Sequence, residues 1–368
     1  MSRQPIAVGC RPERGKMAET IEVREGEDFD LAAVERHMRE NIEGLPDGDL
    51  EVRQFPSGAS NLTYLVKIGD WEGVLRRPPL GPLPPKAHDM GRESKLLKKL
   101  YEAFPLAPKP YFFCEDESIV GAPFYAMERR EGVIVDASFP EGVEPTDELR
   151  RGISRTVVDT FVELHAVDWQ KAGLGELGRP EGFLERQVKG WIGRYDKAKT
   201  EEIEEVEPLT EWISRDIPGS PPATIVHNDY KLNNLLLNPE DLTEVRAVLD
   251  WEMTTIGDPL FDLAVSLSYW VEAGDSQELK EVLPTVASTP GFMTRREFID
   301  RYAEMSGRDL SNIHWYVVFG YFKLAVILQQ IYARWHSGQT KDDRFADFDE
   351  RVKNVILHAY DLSRKGDL

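Results

Sequence analysis

Apolar residues first recur at helical spacing over residues 28–42. Leu31, Val34, Met38 and Ile42 form one stripe there, behind Asp28 or Asp30 as the capping residue. The period then shortens to two. Leu50 to Phe55 alternates like a half-buried strand, and Thr63–Ile68 and Gly73–Arg77 read as two more strands joined at Gly69-Asp70. Between the first two strands lies a loop of small residues, Ser57-Gly58-Ala59-Ser60-Asn61. The five prolines between Pro78 and Pro85 exclude regular structure. A helix is predicted from Ala87 to Phe104, followed by strands at Tyr111–Cys114 and Phe124–Glu128.

Beyond Arg130 the period is mostly helical. Residues 147–166, 181–199, 203–215, 258–273, 294–305 and 312–336 read as helices. One short β unit interrupts them, with strands at Ala223–His227, Leu235–Leu237 and Val245–Leu249, and turn chemistry at Asn238-Pro239. The pattern predicts an α+β, two-lobed chain: a polar tail over 1–27, a small β-rich N-lobe over 28–128 and a large helical C-lobe over 129–368. The alternating strand–helix pattern of a doubly wound sheet is absent. The most apolar stretch, Trp315 to Tyr332, is interrupted by Lys323, Gln329 and Gln330, and reads as a buried core helix.

Charge and composition narrow the function. The 368 residues carry 65 acidic and 45 basic side chains, a formal charge of −20, which argues against a general nucleic-acid or anionic-membrane binder. One anionic ligand needs only a local cluster of donors and stays admissible. The two cysteines, Cys10 and Cys114, cannot form a disulfide framework, which points to a reducing, cytoplasmic setting. Residues 1–20 are mixed and polar, unlike a secretory leader, and Met17 is an alternative start. No Cys/His cluster suggests zinc, and no Gly-x-Ser-x-Gly suggests a hydrolase.

The candidate chemistry sits in His227-Asn228-Asp229-Tyr230-Lys231-Leu232-Asn233-Asn234, directly between two apolar strands. An Asp on a loop with an Asn five residues later suits phosphoryl transfer. The Asp229 carboxylate can orient an attacking hydroxyl, the Asn234 amide oxygen can take Mg²⁺, and Lys231 can neutralise phosphoryl charge. Read alone, the motif is equally a polar turn with Asx caps. Val248-Leu249-Asp250-Trp251-Glu252 supplies a second carboxylate at a strand end, 21 residues after Asp229. A hairpin would bring Asp250 close to Asn234, and Glu252 points to the same region. In the N-lobe, Glu93 falls on an apolar helix face defined by Met90, Leu97, Leu100 and Phe104. It needs a cationic partner, and Arg76 is the natural one.

These motifs carry a resemblance. Phe-Pro-Ser-Gly-Ala-Ser-Asn at 55–61, Val-Leu-Arg-Arg-Pro-Pro at 74–79, the 227–234 segment and Leu-Asp-Trp-Glu-Met-Thr-Thr-Ile-Gly-Asp-Pro-Leu-Phe-Asp-Leu-Ala at 249–264 resemble the aminoglycoside phosphotransferase and choline kinase superfamily. The branch most similar is that of the kinase-like domains fused to some acyl-CoA dehydrogenases. The resemblance runs from about Phe55 to Arg334. It implies a bilobal protein-kinase-like fold and ATP with Mg²⁺ as cofactors. Asp229 would be the catalytic carboxylate, and Asn234 and Asp250 the Mg²⁺ ligands. Ser57, Gly58, Ala59, Ser60 and Asn61 would cover the phosphates, Arg76 held by Glu93 would bind them, and Glu128 would lie beside the adenine. It also implies a small-molecule hydroxyl acceptor: a hydroxyacyl thioester-like metabolite, an aminoglycoside-like molecule or a choline-type alcohol.

The sequence departs from the superfamily in three places. Arg76 stands where protein kinases have Lys, the loop lacks a full Gly-x-Gly-x-x-Gly, and Asn228 stands where Gly is commoner in aminoglycoside kinases. A nucleotide-binding pseudokinase would lack Asp229, Asn234 or Asp250, and all three are present. No Asp-Phe-Gly or Ala-Pro-Glu segment suggests a protein kinase. His165, His227, Asp258 and Asp262 read as structural residues.

Overall fold

The computed structural model describes residues 20–56, 61–79, 88–340 and 342–366. The chain divides into two compact units, Met1–Ser94 with Pro110–Arg129, and Lys95–Lys109 with Arg130–Leu368.

The first unit is built on a five-stranded antiparallel sheet. After helix α1 (Leu31–Asn41) come strands β1 (Glu51–Gln54), β2 (Leu62–Ile68) and β3 (Trp71–Arg77), helix α2 (Met90–Leu100), strand β4 (Pro110–Cys114), the short helix α3 (Glu117–Val120) and strand β5 (Phe124–Glu128). The strand order is β1-β2-β3-β5-β4. Asp30 is the residue that caps α1, accepting from the amides of Ala32 and Ala33. Val34, Met38 and Ile42 enter the core with Tyr64, Val66, Leu75 and Phe124. Leu31, expected in that stripe, is exposed, because the first residue of the helix lies beyond the edge of the buried face.

Period two gives two adjacent arginines different surroundings. Arg76 and Arg77 point to opposite faces of β3. Arg77 turns into the core, where it donates to the Tyr64 hydroxyl and the backbone carbonyls of Glu27 and Val120 and stacks against Phe29 and Tyr64. It is a structural cation satisfied by neutral oxygens.

The second unit is mostly helical: α4 (Asp147–Ala166), α5 (Phe183–Ala198), α6 (Val206–Arg215), α7 (Pro259–Tyr269), α8 (Gln277–Val282), α9 (Arg295–Ser306), α10 (Ile313–His336) and α11 (Phe348–Lys365). Two two-stranded sheets lie among them. Strand β6 (Thr224–Val226) pairs with β9 (Thr255–Gly257), and β7 (Leu235–Leu237) with β8 (Val245–Val248). Helix α10 is long and apolar enough to cross a membrane by length and composition, but 78% of that window is buried inside the protein. It is the core helix of the unit and lies against α5, α7 and α11. Gly320 permits the contact with α7: a Cβ there would stand 2.6 Å from the Ala264 carbonyl oxygen.

Candidate active site

The segment between β6 and β7 is held by its backbone. Asp258 caps α7 through the amides of Leu260 and Phe261. One turn later Asp262, wholly buried, accepts from the amides of His227 (2.6 Å) and Asn228 (2.7 Å). His165 reaches the same carboxylate through Nε2, and its Nδ1 meets the Tyr302 hydroxyl at 2.6 Å. His227 completes the bracing: Nε2 donates to the Leu249 carbonyl at 3.0 Å, and Nδ1 accepts from the Asp229 amide at 3.3 Å. One nitrogen donates and the other accepts, so the ring is neutral, and burial lowers its pKa in the same sense. Asn228 adopts the left-handed conformation (φ 68°), which Asn tolerates better than bulkier residues.

This frame presents the Asp229 carboxylate with three side-chain donors around it. Lys231 Nζ lies 2.9 Å from Oδ2 and 3.1 Å from Oδ1. Asn234 Nδ2 donates to Oδ2 at 3.0 Å and to the Asp229 carbonyl at 2.8 Å. The Tyr269 hydroxyl also hydrogen-bonds the carboxylate, and burial together with that negative charge pushes the phenol well above its ordinary pKa. A carboxylate fixed in this way can accept a hydrogen bond from an alcohol and aim it.

The candidate cation-binding residues follow from the hairpin. Leu235 pairs with Val248, and the Leu249 amide donates to the Asn234 carbonyl at 2.8 Å. Asp250 is therefore the next residue after a backbone contact to Asn234, and it too is left-handed (φ 65°), beginning the 3₁₀ turn Trp251–Met253 that holds Glu252. The Asn234 amide nitrogen is spent on Asp229, which leaves its oxygen as the free donor atom. Among the described residues no group of three or more His, Cys, Asp or Glu could hold a metal. An amide oxygen and a carboxylate, completed by phosphate and water oxygens, suit Mg²⁺, which keeps much of its hydration.

In the first unit, Arg76 Nη1 and Glu93 Oε1 form an ion pair at 2.5 Å, with Glu93 only 1% exposed. The Tyr125 hydroxyl stands 3.5 Å from the same guanidinium nitrogen. Glu128 ends β5 opposite Gly73. Asn61 meets His88 Nδ1 at 3.0 Å. Ser57, Gly58, Ala59 and Ser60 lie outside the described residues.

The profile of the phosphotransferase enzyme family matches residues 51–304. The chain belongs to that family. Acyl-CoA dehydrogenase family member 11 of Gallus gallus is 33% identical over 358 residues, covering 94% of this chain. The chain spans only 45% of that relative's length. A Ralstonia eutropha protein assigned as an aminoglycoside phosphotransferase superposes with a TM-score of 0.79 at 29% identity, covering 92% of this chain and 99% of its own. The aminoglycoside phosphotransferase APH(4)-Ia, solved as a ternary complex with AMP-PNP and hygromycin B, reaches a TM-score of 0.56 at 17% identity, covering 88% and 98%, and shares the fold. The protein is a small-molecule phosphotransferase of protein-kinase-like fold.

Three residues of this candidate site escape the sequence reading. Lys323 of α10, 2% exposed, donates to the Asn228 carbonyl at 2.8 Å and lies against the Trp191 and Phe261 rings. Burial lowers its pKa to about 8. Its signal was a lone lysine inside an apolar helix. Tyr269 closes α7, and Asp136 accepts from Asn233 at 3.2 Å; neither belongs to a motif. On α5, Arg186 donates to the carbonyls of Arg179 and Glu181, and Trp191 Nε1 donates to the Gln187 side chain.

Proposed function

We propose that the protein transfers the γ-phosphoryl group of ATP to a hydroxyl of a small molecule, with a hydroxyacyl thioester-like metabolite as acceptor. The arrangement around Asp229 carries the reading: a carboxylate oriented by Lys231, Asn234 and Tyr269, beside the oxygen donors of Asn234 and Asp250. In the transfer, the acceptor oxygen bonds to the γ-phosphorus and the bond to the β–γ bridging oxygen breaks. ADP leaves, and the hydroxyl proton passes toward Asp229. Lys231 offsets charge on the transferred group, and Arg76, steadied by Glu93, binds the nucleotide phosphates. Mg²⁺ on Asn234 and Asp250 would supply charge neutralisation on the phosphates. The acceptor class is supported by the relatives: this chain corresponds to part of a protein named as an acyl-CoA dehydrogenase family member.

The experiment is ATP consumption by the purified protein against a panel of hydroxyacyl thioesters, choline-type alcohols and aminoglycosides, with and without Mg²⁺. Magnesium-dependent phosphorylation of a thioester supports the reading. Transfer only to other classes would overturn the acceptor, and consumption with none of them above background would overturn the activity.

A further inference from the structure

A cavity of about 240 Å³ opens in the helical unit beside the catalytic segment. Its walls include Val157 of α4, Lys231 and Leu232, Tyr269 and Trp270 at the end of α7, and Leu283 and Ala287 in the segment after α8. Two of these residues touch the reactive carboxylate. Lys231 Nζ stands 2.9 Å from Asp229 Oδ2, and Tyr269 shares a hydrogen bond with the same group. The Lys231 ammonium also lies 4.9 Å from the centre of the Tyr269 ring. The cavity therefore begins one side chain away from the atom that would receive the acceptor's proton.

The remaining walls set its chemistry. Leu232, Trp270, Leu283 and Ala287 are apolar. The charged members are Asp136 and Lys231, one of each sign. Asp136 is tied in place by Asn233 through its side chain and by the Val286 amide through its carbonyl. A polycationic ring system would need several carboxylates here, since an unpaired ammonium in such a place is costly. It would also need space: drug-sized ligands occupy roughly 300–1,000 Å³.

We propose that this cavity is the acceptor's specificity pocket. It takes the unreacting carbon chain of a compact alcohol that carries at most one charge, and Tyr269 and Lys231 separate that chain from the reacting hydroxyl. The proposal rests on the phosphotransferase reading of Asp229 and adds which acceptors that group can serve.

Calorimetric binding of hydroxyacyl N-acetylcysteamine thioesters of increasing chain length, in the presence of a non-hydrolysable ATP analogue and Mg²⁺, tests it without turnover. Affinity should rise by about fourfold per methylene until the cavity is full. Ala287→Leu should bring that limit to a shorter chain. Leu283→Ala, at a partly exposed position where folding is not at stake, should move it to a longer one. An aminoglycoside should bind at least tenfold more weakly than the best chain. Affinity indifferent to chain length, a limit unmoved by both variants, or tighter binding of the aminoglycoside would overturn the pocket. Chain-dependent binding without ATP consumption would instead leave the pocket standing and remove the kinase reading.

Discussion

The sheet unit and the catalytic segment handle buried charge in opposite ways. In the sheet, Glu93 is answered by one side chain, Arg76, across regular secondary structure. In the helical unit, the Asp262 carboxylate that anchors the catalytic segment is answered by two backbone amides and the His165 ring, and Lys323 by a backbone carbonyl. A side-chain pair leaves its members able to move and exchange partners with a ligand. A carboxylate that accepts from consecutive amides fixes the main chain instead. Under the proposed function the two arrangements suit two tasks: gripping phosphates that arrive and leave, and holding a reacting group still.

The sharpest way to break this comparison is at the held group itself. Asp229→Asn keeps the shape and every neighbour that is a donor but loses the charge. Turnover should fall by about 10²–10⁴ with nucleotide affinity and folding retained. A near-normal rate in a steady-state assay would show that the held carboxylate is not the reacting one.

Next in size is the cation. Asp250→Ala should raise the Mg²⁺ needed to support nucleotide binding by on the order of 100-fold, since even residues one shell removed from a metal cost about 10–100-fold. A metal titration that gives the wild-type midpoint would take Asp250 out of the site.

The gripping pair should behave differently, through coupling. Glu93→Gln should weaken ATP binding by loosening Arg76, and Arg76→Ala should weaken it more. With Arg76 gone, Glu93→Gln should add almost nothing, the coupling being about 0.5–3 kcal/mol. Arg76→Lys should retain part of the affinity, as a point charge that lacks the fork. Strict additivity in the double-mutant cycle would assign the phosphates to another residue.

The smallest effect should come from Lys323. Its ammonium is held at a pKa of about 8 by burial, against 10.5 when exposed. Between those values the unfolded lysine binds a proton that the folded one has released, so stability rises with pH across that window. Lys323→Met should flatten the rise, read as urea midpoints at pH 8 and 10, and should slow turnover less than tenfold by releasing the Asn228 carbonyl. An unchanged slope would mean that the ammonium feels no burial cost.

The sheet was legible because its signals are local. Strands β2 and β3 alternate cleanly around Gly69-Asp70, and Glu93 betrays its need for Arg76 by lying on an apolar face. The candidate reactive segment was legible through its motif residues, and Asp262 and His165, read as structural, are buried braces of that segment. What escaped lacks period or nearness. Strand β9 is three residues long and is stabilised by β6, some thirty positions earlier in the chain. Helix α11 has an amphipathic pattern that its charges partly hide, and it gains its order from α10. Tyr269, Asp136 and Lys323 come to the site from distant elements, with no spacing that links them to Asp229.

The allocation of Lys95–Lys109 has a consequence for how the chain matures on the ribosome. This stretch is made among the strands of the sheet, yet its compact partners come much later. The Leu106 carbonyl accepts from the Val248 amide, Phe104 meets the Trp251 ring, and Lys99 donates to the Gly173 carbonyl. While the first 129 residues emerge, the end of α2 and the segment after it wait for a binding surface that does not yet exist. Folding in order of synthesis must therefore leave apolar residues such as Phe104 unprotected until Trp251 appears. A fragment ending at Arg129 would keep that exposure permanently, so the sheet unit cannot be obtained by a single cut of the polypeptide.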